Sequence, residues 1–210
     1  MTIAAESRRL CVVLFDGFEL LDVAGPLEIF GALPDRIQIE MVGPAKGAIR
    51  SAQGPQVVAD RGYREASQPA IVLVPGGIGS RQLVADDTFL EWLRNWASSA
   101  ELVTSVCTGS GVLAKAGLLD GYRATSNKRN FDWPKSQSDL VDWVPRARWV
   151  VDRNRWTSSG VAAGIDMAIA LVAHLYGDKI ATNLADRIEF EWHRDPSWDP
   201  FAVKNGLVPG

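Results

Sequence analysis

Val103-Thr104-Ser105-Val106-Cys107-Thr108-Gly109-Ser110-Gly111 reads as a β-branched strand that runs straight into a cysteine, with small residues opening a helix directly behind it. Such a junction is the thiol form of a nucleophile elbow: the sharp turn lifts the side chain above the sheet edge. The helix start behind it offers free amides and positive potential, and both favour a thiolate over a thiol. The plain alternative for Cys107 is a small buried hydrophobe, the ordinary fate of an unpaired cysteine.

The flanking sequence repeats the strand-then-helix pattern. Leu10–Phe15 is a continuous apolar run closed by Asp16-Gly17, as in a strand buried on both faces. Residues 22–31 look helical, with Asp22 as a candidate N-cap and Pro26 in the first turn. Ile37–Val42 and Ala70–Val74 predict further strands, and Phe89–Ala97 a helix with Phe89, Leu90, Leu93 and Trp96 on one side. Leu102–Val106 is the strand before the cysteine, and Val112–Leu119 is helical. Trp149–Val151 and Arg155–Ser158 suggest an edge hairpin about Asp152-Arg153-Asn154. Val161–Tyr176 is the strongest helix, Lys179–Trp192 is amphipathic, and an irregular tail containing Pro and Trp follows. This alternation is the signature of a mostly parallel sheet covered on both faces. Ligand sites in such sheets lie beyond the carboxyl ends of the strands, here the loops 16–25, 75–79 and 106–111.

Composition narrows the function classes. The 210 residues are 47% apolar and 22% charged, which suits one globular domain over 1–210 and excludes disordered, collagenous and coiled-coil chains. A net charge of −3, from 22 basic and 25 acidic residues, gives no pull toward nucleic acid or an anionic membrane. No apolar run approaches the roughly 18 residues of a membrane span, and the N-terminal MTIAAESRRL lacks a signal-peptide pattern. Two cysteines, Cys11 and Cys107, make neither a disulfide framework nor a zinc site, so a soluble protein of the reducing cytoplasm is expected.

Two further segments carry candidate chemistry. In Val74-Pro75-Gly76-Gly77-Ile78-Gly79, adjacent glycines let backbone amides point into a cleft. With the Thr108 amide they would bind negative charge developing on a substrate attacked by Cys107; a plain strand-ending turn is the alternative. Phe15-Asp16-Gly17-Phe18-Glu19-Leu20-Leu21-Asp22 brings three carboxylates to the end of the first strand. Asp16 suits a turn, whereas Asp22 either caps a helix or faces Cys107, where burial would raise its pKa and let it carry a proton. His174 and His193 have no neighbours at metal-ligand spacing, and His174 reads as a packed helix residue. Trp133, Trp192 and Trp198 fit a pocket, a dimer contact or simple packing.

Taken together, Phe15-Asp16-Gly17 through Leu21-Asp22-Val23-Ala24-Gly25-Pro26, Val74-Pro75-Gly76-Gly77 and Ser105-Val106-Cys107-Thr108-Gly109-Ser110 resemble the DJ-1/PfpI superfamily. So do 116–125 and Ser159-Gly160 through Asp166, and within the superfamily the chain is most similar to the isonitrile (isocyanide) hydratase branch. The resemblance implies a flavodoxin-like (class I glutamine amidotransferase-like) α/β sandwich, a homodimer, and no metal or organic cofactor. It implies Cys107 as nucleophile, Asp22 as its acidic partner, and amides at Gly76, Gly77, Ile78 and Thr108 as anion stabilisers. Proteases and glyoxalases of the superfamily commonly carry His directly after the cysteine, and Thr108 here argues against both activities. Where the hydratases continue Ala-Thr-Thr-His-Trp, this chain reads Ala124-Thr125-Ser126-Asn127-Lys128, placing Asn127 at the His position. The expected activity is a cysteine-dependent hydration of a small electrophile, for an isonitrile giving an N-substituted formamide. The alternative is an oxidation-sensing dimer that uses Cys107 as its sensor. Related domains fused to helix-turn-helix modules regulate transcription, but no such module or basic patch is read in these residues.

Overall fold

Five of the expected strands become the parallel core of one sheet in a computed structural model that describes residues 7–209. In chain order the elements are β1 (Arg8–Val13), α1 (Leu20–Gly31), β2 (Ile37–Gly43), β3 (Gly47–Arg50), β4 (Gln56–Ala59), β5 (Arg61–Gly62) and β6 (Ile71–Val74). Next come α2 (Ser80–Leu83), α3 (Asp87–Ala97), β7 (Leu102–Ser105), α4 (Gly109–Lys115), β8 (Arg123–Ala124), α5 (Asp132–Lys135) and β9 (Asp142–Trp143). The chain closes with β10 (Trp149–Asp152), β11 (Arg155–Ser158), α6 (Ala163–Tyr176), α7 (Asp178–Arg187) and α8 (Pro200–Lys204). The main sheet runs β10-β11-β7-β6-β1-β2-β5, and only the β10–β11 pair is antiparallel.

Counting only β1, β2, β6, β7 and β11, the spatial order is 2-1-3-4-5, the flavodoxin-like arrangement. Parallel crossovers are right-handed, so the β1-to-β2 connection through α1 and the reverse-running connections through α3 and α4 cover opposite faces. α6 packs against α1 and shares its face. Covered on both sides, Leu10–Leu14 and Ile71–Val74 are completely buried, which is why they appear in the sequence as unbroken apolar runs. The direction of winding reverses between β1 and β6, opening a crevice beyond their carboxyl ends; the loop after β7 lies beside it.

Several boundaries differ from the sequence expectation. α1 begins at Leu20 with Glu19 in the cap position, so Asp22 lies in the first turn and is not the N-cap. Pro26 sits inside α1, not in its first turn, and having no N–H it leaves the carbonyl of Asp22 without its helical partner. The β3–β4 hairpin escaped notice because its strands are short and mostly exposed. α7 stops at Arg187, where Glu189 takes a φ of 51°, and does not reach Trp192. The tail is not wholly irregular: Asp199 accepts a bond from the Phe201 amide at 2.9 Å and Pro200 opens α8.

That tail is pinned down. The Arg148 amide donates to the Pro196 carbonyl at 2.8 Å and the Asp199 amide to the Arg146 carbonyl at 2.8 Å. Asp166, fully buried in the first turn of α6, accepts from Arg148 at 2.6 Å and from the His193 amide at 2.9 Å. One carboxylate thus ties together α6, the approach to β10 and the tail. Asp166→Ala would leave a largely buried guanidinium unpaired, and we expect it to cost about 3–5 kcal/mol in urea unfolding. Glu28→Ala, which removes an exposed ion pair with Arg187 at 3.8 Å, should change stability by less than about 1 kcal/mol.

Candidate active site

Cys107 follows β7 by two residues and takes a φ of 58°, a left-handed conformation that costs a side-chain-bearing residue about 1–3 kcal/mol. Hydrogen bonds from several segments hold it there. Its amide donates to the Ser159 carbonyl at 3.1 Å, and its carbonyl accepts from Ser126 Oγ at 2.8 Å and Ser110 Oγ at 3.1 Å. The Val106 amide is tied to the Val74 carbonyl at 3.1 Å. Gly76 presses on the elbow so closely that a Cβ there would lie 2.5 Å from the Thr108 nitrogen and 2.9 Å from the Cys107 Cβ. The residue is only 6% exposed.

The structure brings Asp22 to this sulfur. Its carboxyl is fully buried; Oδ2 accepts from the Gly76 amide at 2.8 Å, Oδ1 has no hydrogen-bond partner among the described residues, and the group lies beside the Cys107 thiol. Burial pushes Asp22 up to about 8, against the opposing pull of the Gly76 amide and with some help from the charge of Glu19. The Cys107 thiol is also pushed up, first by burial and then by Asp22, while the Thr108 amide, the Asn127 side chain and the Val161 amide pull it down. The expectation that the helix start would hold Cys107 as a thiolate is therefore corrected: desolvation outweighs the partial charges of the seven-residue α4. The pair keeps its protons at neutral pH, and the first to leave is shared between two close acids.

The glycine loop works differently from the sequence expectation. The Gly76 amide is spent on Asp22, and the Gly77 amide donates to Thr108 Oγ1 at 3.1 Å. Thr108 Oγ1 also lies 3.2 Å from Ser80 Oγ. Gly76 and Gly77 thus position the acid and the threonine, and neither amide is left for a substrate anion in this arrangement. The Ile78 amide has no protein acceptor among the described residues, and its side chain is 62% exposed at the rim.

Three members of the site were outside the expected set. Val161, with a φ of 44°, and the Asn127 side chain lie close enough to the Cys107 thiol to pull it down, and Ser126 holds the Cys107 carbonyl. Lys128, in a run that resembles a solvated surface, is buried and donates to Thr125 Oγ1 at 2.6 Å and the Ser126 carbonyl at 3.3 Å. Only the position of Asn127 in the family-like run gave any signal. His174 is exposed beside Trp156, with ring centroids 5.5 Å apart, and so is not packed into the core. Trp133, Trp192 and Trp198 each carry an arginine over the ring, from Arg81, Arg194 and Arg146 at 4.8, 3.9 and 5.3 Å. A groove of about 1210 Å³ between Glu40, Tyr63, Phe89 and Trp92 lies along β2 and β5, away from Cys107.

A flavodoxin-like sheet with a strained cysteine at its switch-point edge and a buried acid beside it defines a cysteine-elbow α/β protein. The chain belongs to the DJ-1/PfpI family, which matches residues 8–174. It is 34% identical over 191 residues to isonitrile hydratase of Pseudomonas putida, covering 89% of this chain and 79% of that protein. It is 28% identical to the HTH-type transcriptional regulator GbdR of Pseudomonas aeruginosa, across 85% of this chain and half of the regulator. The crystal structure of a ThiJ/PfpI family protein from Pseudomonas syringae superposes with a TM-score of 0.82 at 27% identity, covering 98% of this chain and 86% of that one. No helix among the described residues is long and apolar enough to cross a membrane.

The raised value of Asp22 has a stability consequence. Between the ordinary value of 3.8 and about 8 the folded chain holds a proton that the unfolded chain has released, so stability falls as pH rises through that window. Asp22→Asn keeps an acceptor for the Gly76 amide and removes the buried charge. Its melting temperature should exceed the parent's by roughly 4–10 °C at pH 8.5, with the gap closing near pH 4.

Proposed function

We propose that the protein hydrates small electrophiles, with isonitriles as the first class to test, to N-substituted formamides. The observation that carries this reading is the buried Asp22 carboxyl held on the Gly76 amide, which packs directly against Cys107; the similarity to the Pseudomonas putida hydratase supports the substrate class. In the singly protonated pair the thiol proton passes to Asp22 as the sulfur attacks the terminal isonitrile carbon. A carbon–sulfur bond forms, Asp22 delivers the proton to the same carbon, and the product is the thioimidate R–N=CH–S–Cys107. Water then adds to that carbon: Asp22 takes a proton from the water and passes it to nitrogen. The carbon–sulfur bond breaks, R–NH–CHO departs, and the proton returns to the pair. Capture on sulfur divides one difficult hydration into two easier steps.

The same resemblance carries a homodimer and a reaction without metal or organic cofactor into this reading. The sensor alternative is less well supported, because oxidation to sulfenic and sulfinic acid proceeds from an exposed thiolate, whereas this thiol is buried and pushed up. Formamide release from cyclohexyl isonitrile, followed by mass spectrometry, tests the proposal. Cys107→Ala and Cys107→Ser should each lose at least about a thousandfold in kcat/KM. In the parent, kcat/KM should rise with pH through about 8 as the pair gives up its first proton. Full turnover by either cysteine variant would remove the proposal.

A further inference from the structure

Two chain segments clasp Cys107, and the next residue of each meets the other beside it. Ser126 holds the Cys107 carbonyl and is followed by Asn127; Ser159 accepts the Cys107 amide and is followed by Gly160. Asn127 has its amide orientation fixed from behind. Its Oδ1 accepts from the Asn130 backbone amide at 3.1 Å and from Asn130 Nδ2 at 3.4 Å, so Nδ2 is the end turned toward the site. That Nδ2 lies over Gly160, where any Cβ would overlap it, between the two segments whose neighbouring serines grip the Cys107 backbone, and its nearness pulls the Cys107 thiol down. With Gly76 and Gly77 already committed, the donors around the sulfur are the backbone amides of Thr108 and Val161 and this one side chain.

We propose that Asn127 is a catalytic residue whose Nδ2–H donates to the Cys107 sulfur, and that position 160 is glycine to leave room for that amide. The donor favours charged sulfur at two moments, when it attacks and when it leaves the substrate carbon. Gly160 acts through Asn127 and is a positioning residue. Of the ionisable groups nearby, Asp22 from α1 faces the sulfur directly. Lys128 turns its amine onto Thr125 and the Ala147 carbonyl, and Asp166 in α6 is paired with Arg148.

The proposal rests on reading Cys107 as the nucleophile, but its test does not need the isonitrile reaction. Alkylation of Cys107 by iodoacetamide, quantified by mass spectrometry across pH, reads the ionised sulfur directly. Asn127→Ala should move the midpoint up by about one pH unit, or slow alkylation roughly tenfold at pH 7.5. Gly160→Ala leaves the sulfur untouched and displaces only the far end of Asn127, so it should produce a shift of the same size. The double variant should show no more than either single change, because both remove one contact. Asn127→Asp keeps an acceptor for Asn130 and presents a carboxylate to the sulfur, so it should shift the midpoint further than Ala. If Gly160→Ala fails to fold, the comparison of Asn127→Asp with Asn127→Ala decides. An effect below twofold in Asn127→Ala, additive effects in the double variant, or an Asp variant that alkylates as fast as the parent would each overturn the proposal. Absence of formamide production by the parent would remove the hydratase reading alone, since the alkylation midpoints would still report the contact.

Discussion

A proton confined between a sulfur and a carboxyl, with almost no water to share it, is the interaction that the rest of this site serves. Burial is the main reason that both resist ionising: it pushes the carboxyl from its ordinary 3.8 up to about 8 and pushes the thiol up as well, with the nearby carboxylate adding to the thiol's rise. Such a pair suits a reaction in which a nucleophile and an acid must act on the same carbon within one encounter. The polar groups around it are few and directed: one amide on the carboxyl, and three donors on the sulfur. They counter desolvation without cancelling it.

Holding two acids in contact requires the chain to bring distant segments together rigidly. Asp22 comes from the first turn after β1, Gly76 from the end of β6, Cys107 from the end of β7 and Val161 from the turn after β11. These strands are neighbours in a parallel sheet whose central members are buried on both faces, so their ends are held side by side at one edge of the fold. The second layer is equally connected. Ser126, Ser110 and Ser159 fix the backbone of Cys107, while Asp166 and Arg148 fasten the tail behind the start of α6.

Most of the architecture was legible because burial on two faces leaves a strong mark on sequence: β1 and β6 show as apolar runs, β7 as a β-branched stretch before the cysteine, and the β10–β11 hairpin shows its turn. Cys107 and Asp22 were legible for the same reason, since each stands at the junction of a run and a helix. The ionisation of Cys107 was not. A short helix end and a strand end promise positive potential, but the balance with desolvation depends on how closely Gly76, Asp22 and Asn127 pack, which no local pattern records. The glycine loop misled in a similar way, because its free-looking amides are used by side chains 54 and 31 residues away. Lys128 was hidden by its charged, polar surroundings in sequence, although the fold buries it.

The left-handed backbone at Cys107 sets fold and chemistry at odds. Glycine would occupy that conformation without steric penalty, so the torsional cost is incurred solely for carrying a thiol at that point. The surrounding serines and the neighbouring strand ends bear this tension permanently, whether or not a substrate is present. A lineage that no longer needed the sulfur would find relief in discarding it, and its descendants would keep the same architecture with a slacker, quieter corner.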